Sequence, residues 1–379
     1  MNMNERLMFY MSVFVFILSA AISLSAEGAF SANWASEQKS ETIDGVEYFY
    51  ITDRDHGAIL RNGRNYGENC AVNIPDDRKI LVLPVSLGGR PLIAIDDHAC
   101  ESLTEIEEVR FPPRISYIGG KAFEGCSSLK AIDVPKGVKE IEPEAFKDCE
   151  SLVSVKIPDG VQLGHHAFEG CLGLEQIVLP KMESISYGMF KGCLSLRTIK
   201  IPDGVKSMGH SVFKNCSSLE RVELPPKIEK IEESTFEGCK KLSVIKMPDT
   251  IKEIESGAFE GCVSLREIEL PYKIEKIALG LFRDCSSLES IVIPENVETI
   301  DVNAFSGCVA LREVVFPSSI KSVNNSIGGG GNAFFGCKSL RTIKVPESVK
   351  DLVLNAETGR SLFERFKDIP GIEVVIIEK

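Results

Sequence analysis

Ten times along the chain a phenylalanine is followed three residues later by a cysteine, and three residues after that by a leucine. The phenylalanines are Phe123, Phe146, Phe168, Phe190, Phe213, Phe236, Phe259, Phe282, Phe305 and Phe334, at steps of 23, 22, 22, 23, 23, 23, 23, 23 and 29 residues. Two apolar residues with one between them follow each leucine, and usually then a proline, as in Ile132-Asp133-Val134-Pro135. Such a short unit cannot bury its own apolar face, but stacked copies can share one continuous core, so a period of this size means a solenoid. The alternation at the end of each unit predicts a strand. The proline after it has no N–H for a ladder and should end that strand. Equivalent Phe, Leu and Ile residues then form internal columns at the strand spacing of roughly 4.8 Å.

An eleventh, degenerate unit precedes the ten regular ones. The spacing from Ile95 to Ala99 matches that from Ile118 to Ala122, which places Cys100 in the Phe position and Leu103 in the Cys position. Ile106, Val109, Phe111 and Pro112 then align without a gap. The residue before each regular Cys is Gly, Asp or Asn (Gly125, Asp148, Gly170, Gly192, Asn215, Gly238, Gly261, Asp284, Gly307, Gly336). These residues tolerate positive φ, so a left-handed turn residue is expected in every coil. Asn215-Cys216-Ser217 also fits a glycosylation sequon, although the turn accounts for Asn215.

The recurring A-F-x-G-C-x-S-L-x-x-I-x-I-P pattern resembles the BspA-like (Treponema-type) leucine-rich repeats over about residues 78–352. Ile43-Asp44-Gly45-Val46-Glu47-Tyr48 followed by Gly88-Gly89-Arg90-Pro91-Leu92 is similar to the entry segment of that family. The resemblance implies a leucine-rich-repeat solenoid of about 11 repeats of ~23 residues. It would carry a parallel β-sheet on one face and short turns, 3-10 or strand segments on the other. It also implies an exported bacterial surface or secreted protein, some relatives being adhesins for host proteins.

The flanks divide the chain further. Residues 1–26 have the order of a secretory signal peptide: Arg6, an apolar run from Leu7 to Leu18, then small residues to Ala26. The 18 residues from Leu7 to Leu24 would also just reach across a bilayer if left uncleaved. No second apolar run of that length follows, so the mature chain is expected to be soluble and secreted or at the cell surface, with the periplasm as the other destination. Residues 27–77, with strand candidates Tyr48 to Ile51, are expected to cap the solenoid 78–352. Residues 353–379 should cap the other end, with a helix over 359–368 and a strand over 372–377. Six extra residues fall in the Gly-rich stretch 324–332, which has no following Lys-Ser/Thr and so reads as a surface bulge.

Twelve cysteines in an exported chain first suggest disulfides or metal. Ten share one repeat position, where parallel Cβ vectors make disulfide geometry hard to reach. No C-x-x-C pair occurs. A column of buried, unreactive thiols is expected, with Cys70 outside it. His165-His166 aligns with Pro143-Glu144 of the previous coil, as a metal pair or an exposed turn. No Ser/His/Asp set, G-x-S-x-G or H-E-x-x-H appears, so no catalytic site, metal or cofactor is assigned.

What remains is a face. The position four after each Leu should point outward and reads Arg110, Asp133, Lys156, Val178, Lys200, Glu223, Lys246, Glu269, Val292, Val315, Lys344. The position one after reads Glu107, Lys130, Val153, Glu175, Arg197, Glu220, Ser243, Arg266, Glu289, Arg312, Arg341. Opposite charges mostly alternate, which would solubilise a sheet surface on its own. Solenoids also bind partners on such extended surfaces. The candidate binding residues are Arg110, Lys156, Arg197, Lys200, Lys246, Arg266, Glu269, Val292, Arg312 and Val315, with Val292 and Val315 as an apolar break. A protein partner is favoured, and a glycan less so because the face lacks aromatics. A net charge of −12 gives no general attraction to nucleic acid. A scaffold with no dedicated ligand is the second reading, and an enzyme the least favoured.

Overall fold

The computed structural model describes residues 38–52, 57–61, 71–75, 77–323, 332–350 and 372–377. The expected leader 1–26, Cys70, the stretch 324–331 and the helix 359–368 lie outside the described residues.

The chain winds as a solenoid with two rows of short parallel strands. The first row holds the L-x-x-I-x-I segment of each coil, and it runs in three stretches. Ile80–Val82, Glu108–Arg110, Ala131–Asp133 and Ser154–Lys156 form one sheet; Thr198–Lys200, Arg221–Glu223 and Val244–Lys246 a second; Ser290–Val292, Glu313–Val315, Thr342–Pro346 and Glu373–Ile377 a third. The breaks fall at two coils. At 176–178 only a bridge from Val178 to Lys200 survives, and 267–269 carries no strand. The second row consists of two-residue strands, such as Glu140–Ile141 beside Gln162–Leu163 and Lys230–Ile231 beside Glu253–Ile254. The second face is therefore built of strand segments. The 3-10 helix among the described residues, Glu347–Val349, lies past the last regular coil.

Columns of side chains fill the interior. Consecutive Phe rings from Phe123 to Phe334 are nearly parallel, with centroids 5.1–6.0 Å apart and planes within 16°. The step from Phe305 to Phe334 keeps this stacking at 5.1 Å, so the six-residue insertion leaves the column intact. In the degenerate coil, Cys100 fills the Phe slot, and Phe111 packs edge-on against Phe123 at 5.7 Å.

Each of the ten column thiols is also a donor. The Cys Sγ of one coil reaches the carbonyl of the Phe in the coil before it, as in Cys149 to Phe123 O at 3.2 Å and Cys337 to Phe305 O at 3.1 Å. Cys126 makes the same bond to Cys100 O at 3.1 Å, which confirms the register of the degenerate coil.

All ten residues before the column cysteines have positive φ, between 57° and 77°. The coil contains a second left-handed position two residues before each Phe from Phe123 to Phe305, which the sequence did not reveal: Lys121, Glu144, His166, Gly188, Ser211, Ser234, Gly257, Gly280 and Asn303. Chain reversal within so short a coil thus uses two left-handed residues, one on each side of the Phe.

At the N-terminal end, Lys39–Ile43 and Val46–Thr52 form an antiparallel hairpin closed by Asp44 (φ 50°) and Gly45 (φ 79°). Two successive positive-φ residues are what a two-residue hairpin turn demands. Val46–Thr52 pairs with Ala58–Leu60, which runs parallel to Arg90–Ile95, so the hairpin joins the second row of strands. Tyr48 and Tyr50 enter the core beside the first coil, and the Tyr48 hydroxyl donates to Val82 O at 2.9 Å.

Candidate binding face

The three-residue strands of the first row turn their centres inward and their ends outward, with Ile245 a half-buried centre and Glu108, Glu313 and Val315 half-buried ends. Ile132, Val155, Ile199, Val222, Ile291 and Val314 point inward, and the residues on either side face solvent because side chains alternate across a strand. Arg110, Lys156, Lys200, Lys246 and Val292 end such strands and are exposed. Glu269 is exposed in the coil that lacks a strand. Val315 is half-buried beside its register partners Val292 and Lys344. Arg197 and Arg312 lie one residue before their strands, Arg266 holds the same place in the coil without a strand, and all three are exposed. Backbone bonds tie this row together, such as Glu220 N to Arg197 O at 3.1 Å and Glu289 N to Arg266 O at 3.0 Å.

The structure brings some of these residues together and separates others. Lys200, Glu223 and Lys246 are in register on three adjacent strands, and Val292 lies beside Val315. Arg110 and Lys156 are kept apart by the strand that carries Asp133. The candidates therefore form a strip from Arg110 to Arg312 rather than one compact site. Strict alternation also puts a second outward residue on each strand, two before the first. That row, with Arg221 and Val244 exposed, was missed in favour of the row one residue earlier. The apolar break is not confined to Val292, which is 67% exposed; Val178 is 83% exposed, where the strand gives way to a single bridge.

Charges pair unevenly around the coil. Along two other edges, cations bridge to acids one coil away: Lys147 to Glu124 at 3.1 Å, Lys191 to Glu169 at 2.8 Å, Lys206 to Glu183 at 2.8 Å, Lys252 to Glu229 at 2.7 Å and Lys321 to Glu298 at 2.6 Å. On the strand face, pairs form near its two ends: Arg110 with Glu108 of its own strand at 2.7 Å, Lys130 with Glu107, Lys156 with Asp133 at 3.4 Å and Lys344 with Glu313 at 2.9 Å. Among the described residues, Arg197, Lys200, Lys246, Arg266 and Arg312 find no ion-pair partner within 4.0 Å. Where like charges meet, the Arg341 guanidinium donates to Lys338 O (3.0 Å) and Leu340 O (2.9 Å).

The histidine pair is not the exposed turn it was expected to be. His165 stacks on Tyr187 with centroids at 4.4 Å, and Tyr187 on His210 at 4.8 Å. His165 and His166 are half-buried by this stack, which rises along three successive coils. His166 Nδ1 lies 2.6 Å from Glu169. Burial nevertheless pushes both imidazoles below their ordinary pKa. Among the described residues, no group of three or more His, Cys, Asp and Glu could hold a metal ion, and no helix is long and apolar enough to cross a membrane.

Comparison with known proteins agrees with this architecture. A search of curated proteins gives no match. A leucine-rich cell surface protein from Faecalibacterium prausnitzii is 25% identical, with a TM-score of 0.50, over 82% of this chain and 95% of its own. The pneumococcal vaccine antigen PcpA shares the fold at a TM-score of 0.54 and 16% identity, over 90% of this chain and 99% of its own. The model of the BspA-type leucine-rich repeat region matches in six copies over residues 93–220, 206–328 and 329–364. With its Phe, Cys and Leu columns in register across that span, the chain belongs to the BspA-type leucine-rich repeat family.

Proposed function

We propose that this is an exported interaction protein, secreted or held at the cell surface, that binds a protein partner on its first-row strand face and catalyses no reaction. The observation that carries the reading is the set of exposed, unpaired cations Arg197, Lys200, Lys246, Arg266 and Arg312 on a face whose neighbouring edges pair their charges across coils. Unpaired surface charge steers a complementary partner toward the face and speeds its encounter. Exposed Val178 and Val292 add apolar contact on the same strip. Neutral sugars usually need an aromatic platform, and the described strands of this face present none. Export rests on the leader-like residues 1–26 and on the likeness to a cell surface protein. Residues 27–77 and 353–379 act as caps on the solenoid 78–352 in this reading.

Pull-down of surface or matrix proteins with the purified chain lacking residues 1–26, repeated with Lys200→Glu/Lys246→Glu, tests it. A captured partner should be lost by at least about tenfold in affinity, mostly through slower association, with the melting temperature unchanged. Capture that survives the double reversal would point instead to a solvated charge ladder and a scaffold role, which the Lys156–Asp133 pair on the same face already illustrates.

A further inference from the structure

An open cleft of about 420 Å³ lies at the corner where the turn after Cys enters the first-row strand, across four successive coils. Arg221, Lys241 and Arg266 line it with the hydroxyls of Ser264 and Ser287, and Glu220 is its one carboxylate. Among the described residues, none of the three cations has an ion-pair partner within 4.0 Å, although opposite charges one coil apart pair readily on the other edges. Lys241 breaks a column in which Ser195, Ser218, Ser264 and Ser287 occupy the same place in the neighbouring coils. A serine there would leave two arginines spread along the groove; the lysine brings a third charge between them. The result is a local excess of two positive charges in a chain whose net charge is −12.

We propose that this cleft binds the oxyanion groups of an acidic polysaccharide, sulfate or carboxylate. Arginine forks and serine hydroxyls are matched to planar or tetrahedral oxyanions, which they hold through charge-assisted hydrogen bonds. No aliphatic or aromatic side chain lines the cleft, which disfavours the apolar anchor that a folded protein partner inserts at the centre of its interface. Its openness along the solenoid axis suits a linear, hydrated chain that presents anions at intervals. The cleft shares Arg266 with the proposed protein face but includes neither Lys200 nor Lys246, so Lys241→Ser and the Lys200→Glu/Lys246→Glu reversal test the two readings separately.

Binding of the purified chain to immobilised heparin and to polygalacturonate, read by surface plasmon resonance at moderate salt, tests the proposal, with neutral dextran and polyglutamate as comparisons. Binding to heparin, which carries both groups, without binding to polygalacturonate identifies sulfate, and polygalacturonate binding identifies carboxylate; either supports the site, provided dextran gives no signal. Lys241→Ser installs the residue that neighbouring coils already carry, so the fold should hold, and it should weaken binding about tenfold, the loss of one charge-assisted contact. Arg266→Ser should act similarly. Lys252→Ser removes equal charge from an ion-paired edge and should leave binding unchanged. The proposal is overturned if neither polysaccharide binds. It is also overturned if Lys252→Ser weakens binding as much as Lys241→Ser, or if polyglutamate binds as tightly as the polysaccharides.

Discussion

At the residue scale, cysteine has the clearest role. Its spacing indicated a buried column, and every column thiol is at most 1% exposed. The structure adds that the thiol is a hydrogen-bond donor to the preceding coil's Phe carbonyl, a reason for cysteine over alanine that no spacing could show. Burial pushes these thiols up, Cys337 to about 12 and those deeper in the stack further. A thiol with a raised folded pKa stabilises the fold fully below its unfolded value and loses that contribution as pH rises through the folded one. Stability should therefore fall steeply with increasing pH above 9.0, the ordinary thiol value, because many column thiols act together. In the native state at neutral pH, a thiol reagent should leave the column unmodified until the chain unfolds. Rapid reaction of most thiols in native buffer would contradict the buried column.

At the element scale, each coil depends on its two left-handed residues. The position before Cys was legible because only Gly, Asp and Asn occupy it. The position two before Phe was not, because Lys121, Glu144, His166 and Ser234 are not residues that announce positive φ. There the backbone is held by hydrogen bonds between coils, such as Lys121 N to Pro143 O at 3.0 Å, so tertiary contacts override local preference. Gly261 separates backbone strain from crowding, since a Cβ there would find only Gly238 backbone at 3.6 Å. Gly261→Ala should cost about 1–2 kcal/mol in urea unfolding from φ alone, and Gly261→Asn less. The His165–Tyr187–His210 stack gives an acid-side counterpart. Imidazoles whose folded pKa is depressed stabilise fully above the unfolded value of 6.5 and lose that contribution as pH drops below it. The melting temperature should rise between pH 5 and pH 7, and His165→Gln/His166→Gln should flatten that rise.

At the scale of the whole molecule, stability is carried from coil to coil. Truncating a stacked Phe removes contacts on both sides and leaves a cavity, worth ~3–5 kcal/mol for Phe213→Ala. In a solenoid the position of that loss matters as much as its size. Phe213→Ala lies mid-column and should lower the entire unfolding transition. Phe334→Ala lies at the end of the Phe column and should release mainly the last coils, leaving amide protection around Phe213 near the parent level. Equal loss of protection at both places would mean that the chain unfolds as one unit.

The repeat by itself determined the solenoid, the inward columns, the register of the degenerate coil and the outward row ending at Lys344. Each of these follows from a period repeated often enough to leave one stacking register. Tertiary structure alone decided which charges find partners. The strand row reads as alternating signs, yet Lys200, Glu223 and Lys246 lie in register without ion pairs among the described residues, while Lys206 and Lys252 on another edge are paired. Pairing depends on where long side chains project from a curved backbone, and sign order along a sequence does not contain that. The cleft around Lys241 has the same origin: it exists only because stacking places residues 23 apart side by side.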